Sequence, residues 1–311
     1  MKRLVLLFSL MYCGTVYAAD VLSLDDALRA TYTACVGIDD QLADMKKMAG
    51  INTAVTAVGT AAGTGATVVG IVKASKDKQI ASLEKELEKL KSVTQGRALP
   101  TINQAEMLSQ MDNYYNSNKD ENRDLEEEIS KLTRQSKRLG NWRTGLVAGA
   151  TATNVAGAVI AGTNKVDKDL QSQIEACKAS VVVLNQSVMQ ARIQGEDVTE
   201  ATEIVSACSE YNYVDVSKIN NRAKGAMISS IVGATTGAAG TITSVLANTD
   251  KTRNDNTVAG QQKEKNLNTA ANILSGATAV ASGTATVFNA TQISAIKKVS
   301  AVAEKCTGVL K

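Results

Sequence analysis

The chain has no histidine, one proline, one tryptophan and two phenylalanines in 311 residues. Without histidine it lacks the commonest general base near neutral pH and the commonest ligand of transition metals. With so few large aromatics, and apolar content drawn mostly from alanine and valine, it has little from which to build a bulky globular core. Long helices with narrow packing seams suit such a composition better. A charge excess is also missing: the formal net charge of +3 falls near zero once Lys2 and Arg3 are set aside, so bulk charge gives no argument for a nucleic-acid partner.

Lys2 and Arg3 precede an apolar run from Leu4 to Tyr12, and Val16-Tyr17-Ala18 offers small residues where signal peptidase cuts. Residues 1–18 are therefore expected to be a cleaved secretory signal peptide. Tyr12 is too bulky for the lipobox position before Cys13, so no lipid anchor is expected. The expected destination is the periplasm or cell envelope, with secretion or outer-membrane association as variants. Four cysteines remain, Cys35, Cys177, Cys208 and Cys306, an even number in an exported chain and so expected as disulfides.

The most unusual stretch is Gly50 to Val72, which carries no charge and almost nothing larger than valine. At 3.6 residues per turn it sorts into stripes. Ile51, Val55, Val58, Ala62, Gly65, Val69 and Val72 step by fours and threes, which predicts an apolar seam. Gly59, Gly63, Ala66 and Gly70 form a second stripe. Glycine inside a helix costs roughly 1 kcal/mol relative to alanine, so a regular row of it predicts close approach of another helix. Threonines 53, 56, 60, 64 and 67 form a third. Similar uncharged stretches follow at Thr144 to Asn164, with Gly149 and Gly157; near 225–249, with Gly233, Gly237 and Gly240; and near 266–296, with Gly276 and Gly283. All these glycines are expected to pack helices.

The intervening segments complete an architecture. Ser23 and Asp26 predict a capped helix over about 19–47. Ile80, Leu83, Leu87 and Leu90, then Leu125, Ile129, Leu132 and Leu139, predict an antiparallel coiled-coil arm over 74–140, with its tip at about 94–123 and Asn113 to Asp124 as a polar loop. The second uncharged helix is expected to run on through Val166, Leu170, Cys177 and Val188 as far as a turn at Gly195. Asn254 to Gly260 predicts another reversal. Each half thus reads cysteine, helix, reversal, helix, cysteine, an internal repeat. The expected fold is all-α: a first long hairpin over 48–194 and a second over 195–311, in tandem, forming a four-helix Gly/Ala/Thr-rich bundle.

In an antiparallel hairpin, residues equidistant from the reversal lie level. Cys35 and Cys177 are equidistant from Glu106, and Cys208 and Cys306 from Thr257. The expected bridges are Cys35 with Cys177 and Cys208 with Cys306.

Motifs for chemistry fail on inspection. Gly63-Thr64-Gly65 lies inside a helix with no preceding strand, and Gly65 to Gly70 has P-loop spacing with Ile71 where lysine must stand. Asp120, Asn122 and Asp124 begin like a calcium loop, but Leu125 replaces the glycine and Lys131 the bidentate glutamate. The cysteines lack zinc-type spacing. No catalytic, cofactor or metal residue is expected, and no small-molecule substrate. Trp142 and Arg143 fall where coil meets glycine helix and read as a junction anchor.

Leu22 to Ala30, LSLDDALRA, resembles the opening of repeats in outer-membrane efflux proteins over nine residues, and implies no function here. The four uncharged stretches are each about 20 residues or more, bracketed by Lys47 and Lys73, Arg143 and Lys165, Lys224 and Lys251, and Lys265 and Lys297. They resemble glycine-zipper membrane hairpins, which implies membrane insertion. Their threonine, serine and asparagine make them less hydrophobic than ordinary spans. Two functions follow as expectations. The first is a non-enzymatic cell-envelope bundle with a structural or interaction role, self-associating through glycine and alanine faces or binding a protein partner. The alternative is a pore-forming or translocator-like protein that inserts the four helices into a membrane.

Overall fold

A computed structural model of the chain describes residues 22–95, 104–249 and 257–310. Among these every regular element is helical: α1 (Leu24–Cys35), α2 (Ile38–Gln95), α3 (Gln104–Thr163), α4 (Lys168–Gln194), α5 (Thr199–Cys208), a 3-10 turn (Ser209–Tyr213), α6 (Ser217–Asn248) and α7 (Val258–Leu310). The expected signal peptide lies outside the described residues, as do 96–103 of the expected tip and 254–256 of the expected second reversal, while 104–123 of the expected tip is helical.

Local chemistry sets the breaks. Ser23 caps α1 by accepting from the Asp26 amide at 3.2 Å, and Gly37 at φ 87° supplies the left-handed residue between α1 and α2. Gly195, at φ 81°, ends α4 in the same way. The expected polar loop over 113–124 is helical instead, part of α3. The expected continuous helix through Val166 is broken at 164–167. There Asn220 bonds the Val166 amide at 2.8 Å and its carbonyl at 3.2 Å, and Asp167 caps α4 through the Leu170 amide at 2.7 Å. Side chains that satisfy backbone groups outside a helix outweigh an apolar periodicity that would continue it.

The chain forms two compact units, and the long helices contribute to both. The first comprises described residues up to Thr53, Ile160–Ala226 and Val287 onward. Its core is conventional: Ile38, Leu42, Leu170, Ile174, Leu184, Ile219 and Ile296 are buried together with Tyr211. Helix α1 lies along α4, and Thr31 donates across to the Ser180 carbonyl at 3.3 Å. Cys35 is joined to Cys177 and Cys208 to Cys306, all four buried in this core.

The second unit comprises Ala54–Val159 and Met227–Thr286. Its long helices pack antiparallel. On α2 and α7, Thr286 donates to Thr56 at 3.0 Å and Gly63 abuts Ala279. On α3 and α6, Thr151 faces Gly237 and Asn154 faces Gly233. Thr236 meets Thr278 at 3.0 Å between α6 and α7. Helices α2 and α3 pair from Gly59 against Thr153 out to Lys91 and Glu126, which form an ion pair at 2.8 Å.

Candidate functional site

In the second unit, each helix buries one stripe whose members recur by fours and threes. On α2 these are Thr56, Gly59, Gly63, Ala66, Gly70 and Lys73; on α3, Ser136, Gly140, Arg143, Val147, Ala150, Asn154 and Gly157. Helix α6 buries Ser230, Gly233, Gly237, Gly240, Ser244 and Ala247, and α7 buries Asn268, Ala271, Ser275, Thr278, Ser282 and Ala285. The interior is thus built of glycine, alanine, hydroxyls, carboxamides and two cations, with Val147 its only large aliphatic among these.

The glycines have a steric reason. The Asn272 carboxamide occupies the space a side chain at Gly70 would need; Asn248 does the same at Gly140, and Asn154 at Gly233. A Cβ at Gly63 would stand 3.0 Å from both Cα and N of Ala279. Gly59, Gly237 and Gly240 meet Thr153, Thr151 and the pair Leu274 and Val147. Gly149 and Gly276 correct the expectation that every repeated glycine packs a helix: among the described residues, nothing lies within 4 Å of where their Cβ would be. Gly283 makes only an ordinary contact, 3.7 Å to Thr60 Cγ2.

The expected apolar seam is also corrected. Ile51, Val58 and Val72 are exposed, and Val55, Ala62, Gly65 and Val69 only half-buried. Large aliphatics point outward on every helix of the unit: Val68 and Ile71 on α2, Val155 and Val159 on α3, Ile231 and Ile242 on α6, Ile273 (67%) and Val280 (71% exposed) on α7. Polarity is inverted relative to the first unit. Among the described residues, three helical runs, Leu24–Ser92, Lys119–Gln194 and Ser217–Asn248, are long and apolar enough to cross a membrane, and about a third or less of each apolar window is buried.

One end of the inverted region is closed by charge. Lys73, 1% exposed, pairs with Asp77 at 2.7 Å and with Glu264 at 3.8 Å, and Ser136 donates to the other Asp77 oxygen. Arg143 is fully buried and donates from Nη1 to Asn272 at 3.1 Å and from Nη2 to Asn268 at 3.0 Å. Its Nε, and the hydroxyls of Ser230 and Ser244, have no partner among the described residues. Beside Arg143, Trp142 stands 69% exposed.

The first unit carries the sulfur chemistry. Sγ atoms of Cys35, Cys177 and Cys306 lie within 4.8 Å of one another, and all three are consumed in the two disulfides. Burial, with Asp39 nearby, pushes the Tyr211 hydroxyl above its ordinary range. No protein-family model, no curated protein and no solved structure matches this chain.

Proposed function

We propose that this is a non-enzymatic membrane-inserting protein of the cell envelope, whose second unit lies in a bilayer and whose first unit is built for water. The observation that carries this reading is the inverted polarity of the second unit. Burying a valine or isoleucine side chain is worth about 1.5–3 kcal/mol, so water would penalise a bundle that turns these residues outward on all four helices and keeps serine, asparagine and arginine inside. Lipid removes that penalty, and it favours interiors of small residues with cross-helix hydrogen bonds. The 23 residues from Gly50 to Val72 rise roughly 34 Å as a helix, against a hydrocarbon core of about 30 Å. Exposed Lys47, Lys224, Lys265 and Lys297 flank the uncharged stretches, as suits residues at headgroup depth.

In this reading the second unit is a four-helix bundle of two tandem hairpins, the first extended by the antiparallel coil over 74–140. Self-association is a compatible second activity. Gly145 and Gly149 are four residues apart on the exposed face of α3, with nothing within 4 Å of either among the described residues, the spacing by which membrane helices approach closely.

The test is to express the chain from Ala19 in an oxidising compartment, fractionate it with and without detergent, and digest it in phosphatidylcholine vesicles. Protected fragments covering the four uncharged stretches are expected. Monodisperse protein without detergent, cut freely within Gly50 to Val72 in the presence of vesicles, would overturn the reading.

A further inference from the structure

One exposed face of α3 changes chemistry along its length. Lys131, Arg134, Arg138 and Trp142 step by three, four and four residues and are all exposed; Gly145, Gly149 and Ala152 continue the same face into the uncharged region. Between Ile129 and Lys165 the sequence has no aspartate or glutamate. Helix α2 repeats the pattern: its exposed positions Val68, Ile71 and Ser75 lead to exposed Lys78. On α7 exposed Lys263 lies ten residues before exposed Ile273, about 80° round the helix from it. The hydrogen bond from Ser136 to Asp77 and the pair Lys73 with Glu264 set these three helix segments level. Those same contacts engage Asp77 and Glu264 with buried Lys73; Glu84, six residues beyond Lys78 on α2, is the further carboxylate at the outer edge of this region. The acidic run of the coil, Asp120 to Glu128, lies farther along α3 from the uncharged region.

The geometry points to Lys78, Lys131, Arg134, Arg138 and Lys263, with Trp142 at their inner edge, as a docking belt for the headgroups of anionic phospholipids. This rests on the membrane reading above. Cationic side chains attract a negative leaflet, and an indole at the boundary sits at headgroup depth with its apolar body toward the chains. The long stems of lysine and arginine let the charges reach the headgroups while lying along apolar surface. A free phosphate or a nucleic acid would answer to the basic residues alone; the apolar band beginning at Trp142 selects a lipid.

Trp142 is the only tryptophan, so its emission reports this site without labelling. The experiment compares phosphatidylcholine vesicles with vesicles containing phosphatidylglycerol, reading co-flotation, Trp142 emission and protease protection at physiological salt. Each basic residue near a negative surface is worth roughly fivefold in partitioning. Wild type is expected to favour the anionic vesicles strongly, with blue-shifted Trp142 emission quenched by brominated lipid. The triple variant Lys131→Gln, Arg134→Gln, Arg138→Gln should lose about a hundredfold of that preference while keeping the protected fragments of wild type in phosphatidylcholine. Arg134→Lys with Arg138→Lys should retain it. Insertion without a lipid preference, or an unchanged preference in the triple variant, overturns the belt and leaves the membrane reading standing; no insertion into either vesicle overturns both. DNA binding as strong as vesicle binding, equally sensitive to the triple variant, would instead assign a polyanion site.

Discussion

Asn154 on α3 and Ser282 on α7 meet inside the second unit, both fully buried: Asn154 Nδ2 donates to Ser282 Oγ at 2.7 Å, and the hydroxyl returns to Asn154 Oδ1 at 3.0 Å. Gly233 on α6 leaves the room that the carboxamide takes. Each partner also bonds its own helix, Asn154 Nδ2 to the Ala150 carbonyl at 2.9 Å and Ser282 Oγ to the Thr278 carbonyl at 2.8 Å, so removing half of the exchange leaves the survivor buried with only its local bond. Asn154→Ala is expected to lower stability by about 1–3 kcal/mol, and Asn154→Ala with Ser282→Ala by less than the two single changes together. Denaturation midpoints of the four proteins in one detergent form the double-mutant cycle that measures this coupling.

Two glycines of the same repeat should respond in opposite directions. A Cβ at Gly63 meets backbone atoms of Ala279, which cannot turn aside, whereas Gly149 faces open space. Gly63→Leu should destabilise by roughly 1–3 kcal/mol through overpacking, and Gly149→Ala should stabilise by about 1 kcal/mol through helix propensity alone. Thermal midpoints in a common detergent decide between this and a uniform glycine effect.

Much of this was readable from spacing. The stripe Gly59, Gly63, Ala66 and Gly70 is buried, and the long helices are antiparallel. Thr236 and Thr278, in contact between α6 and α7, are equidistant from Thr257, the same register that Cys208 and Cys306 keep. Spacing marked the glycine stripe as a packing face but placed the aliphatic stripe beside it in the interior as well, and that stripe turns outward. Taking Ile51, Val58 and Val72 as the seam assumes that apolar residues seek the interior, whereas all three are exposed. The corrective signal was present: the glycine stripe continues by fours and threes through Thr56 at one end and Lys73 at the other, and on α3 through Arg143, Ala150 and Asn154. Asn248 and Asn272 gave no such sign, because their role depends on glycines of a different helix, Gly140 and Gly70. The break at 164–167 was hidden for a similar reason, since Asn220 makes it from 54 residues away.

The first unit should carry a defined acid sensitivity. Asp197 accepts from the hydroxyl and amide of Thr199, and Asp215 from the Ser217 amide, at the starts of α5 and α6. These bonds hold both carboxyls below the ordinary aspartate range, with the Thr199 and Ser217 side-chain bonds the first cause. A depressed folded-state pKa means the stabilisation is complete above the unfolded value of about 4 and is lost as pH falls through the lower folded value. Asp197→Asn and Asp215→Asn should therefore lower stability slightly near neutral pH and flatten its fall on acidification. Urea midpoints of the three proteins, taken at several pH values below neutrality, provide the check.

Both disulfides close long stretches of chain and should matter about equally. Their partners are separated by 142 and 98 residues, and on the chain-entropy account cross-links of that span each restrict the unfolded chain by about 4–5 kcal/mol. Cys208→Ser with Cys306→Ser is expected to lower the stability of the first unit by a few kcal/mol in urea. Because Thr236 and Thr278 keep the same register without a cross-link, protease protection of the third and fourth uncharged stretches in vesicles should survive the change. Loss of that protection would make the bridge a condition of assembling the second hairpin rather than a staple on a finished one.

The proposed self-association would turn on Gly145 and Gly149, because their exposed face on α3 carries the only pair of glycines at close-approach spacing among the described outward positions with nothing within 4 Å. In lipid, two helices gain from packing against each other only where small residues let the backbones near, since aliphatic side chains are as well solvated by acyl chains as by one another. Gly145→Ile with Gly149→Ile removes that approach while adding outward side chains of the kind already present at Val155 and Val159, so the folded bundle should keep its protected fragments. Energy transfer between labelled copies in vesicles is expected to fall severalfold for this variant and to be unchanged for Ala277→Ile on α7, another exposed position without the spacing. Equal transfer in all three proteins would leave the second unit a solitary bundle, with lipid the sole occupant of its outer face.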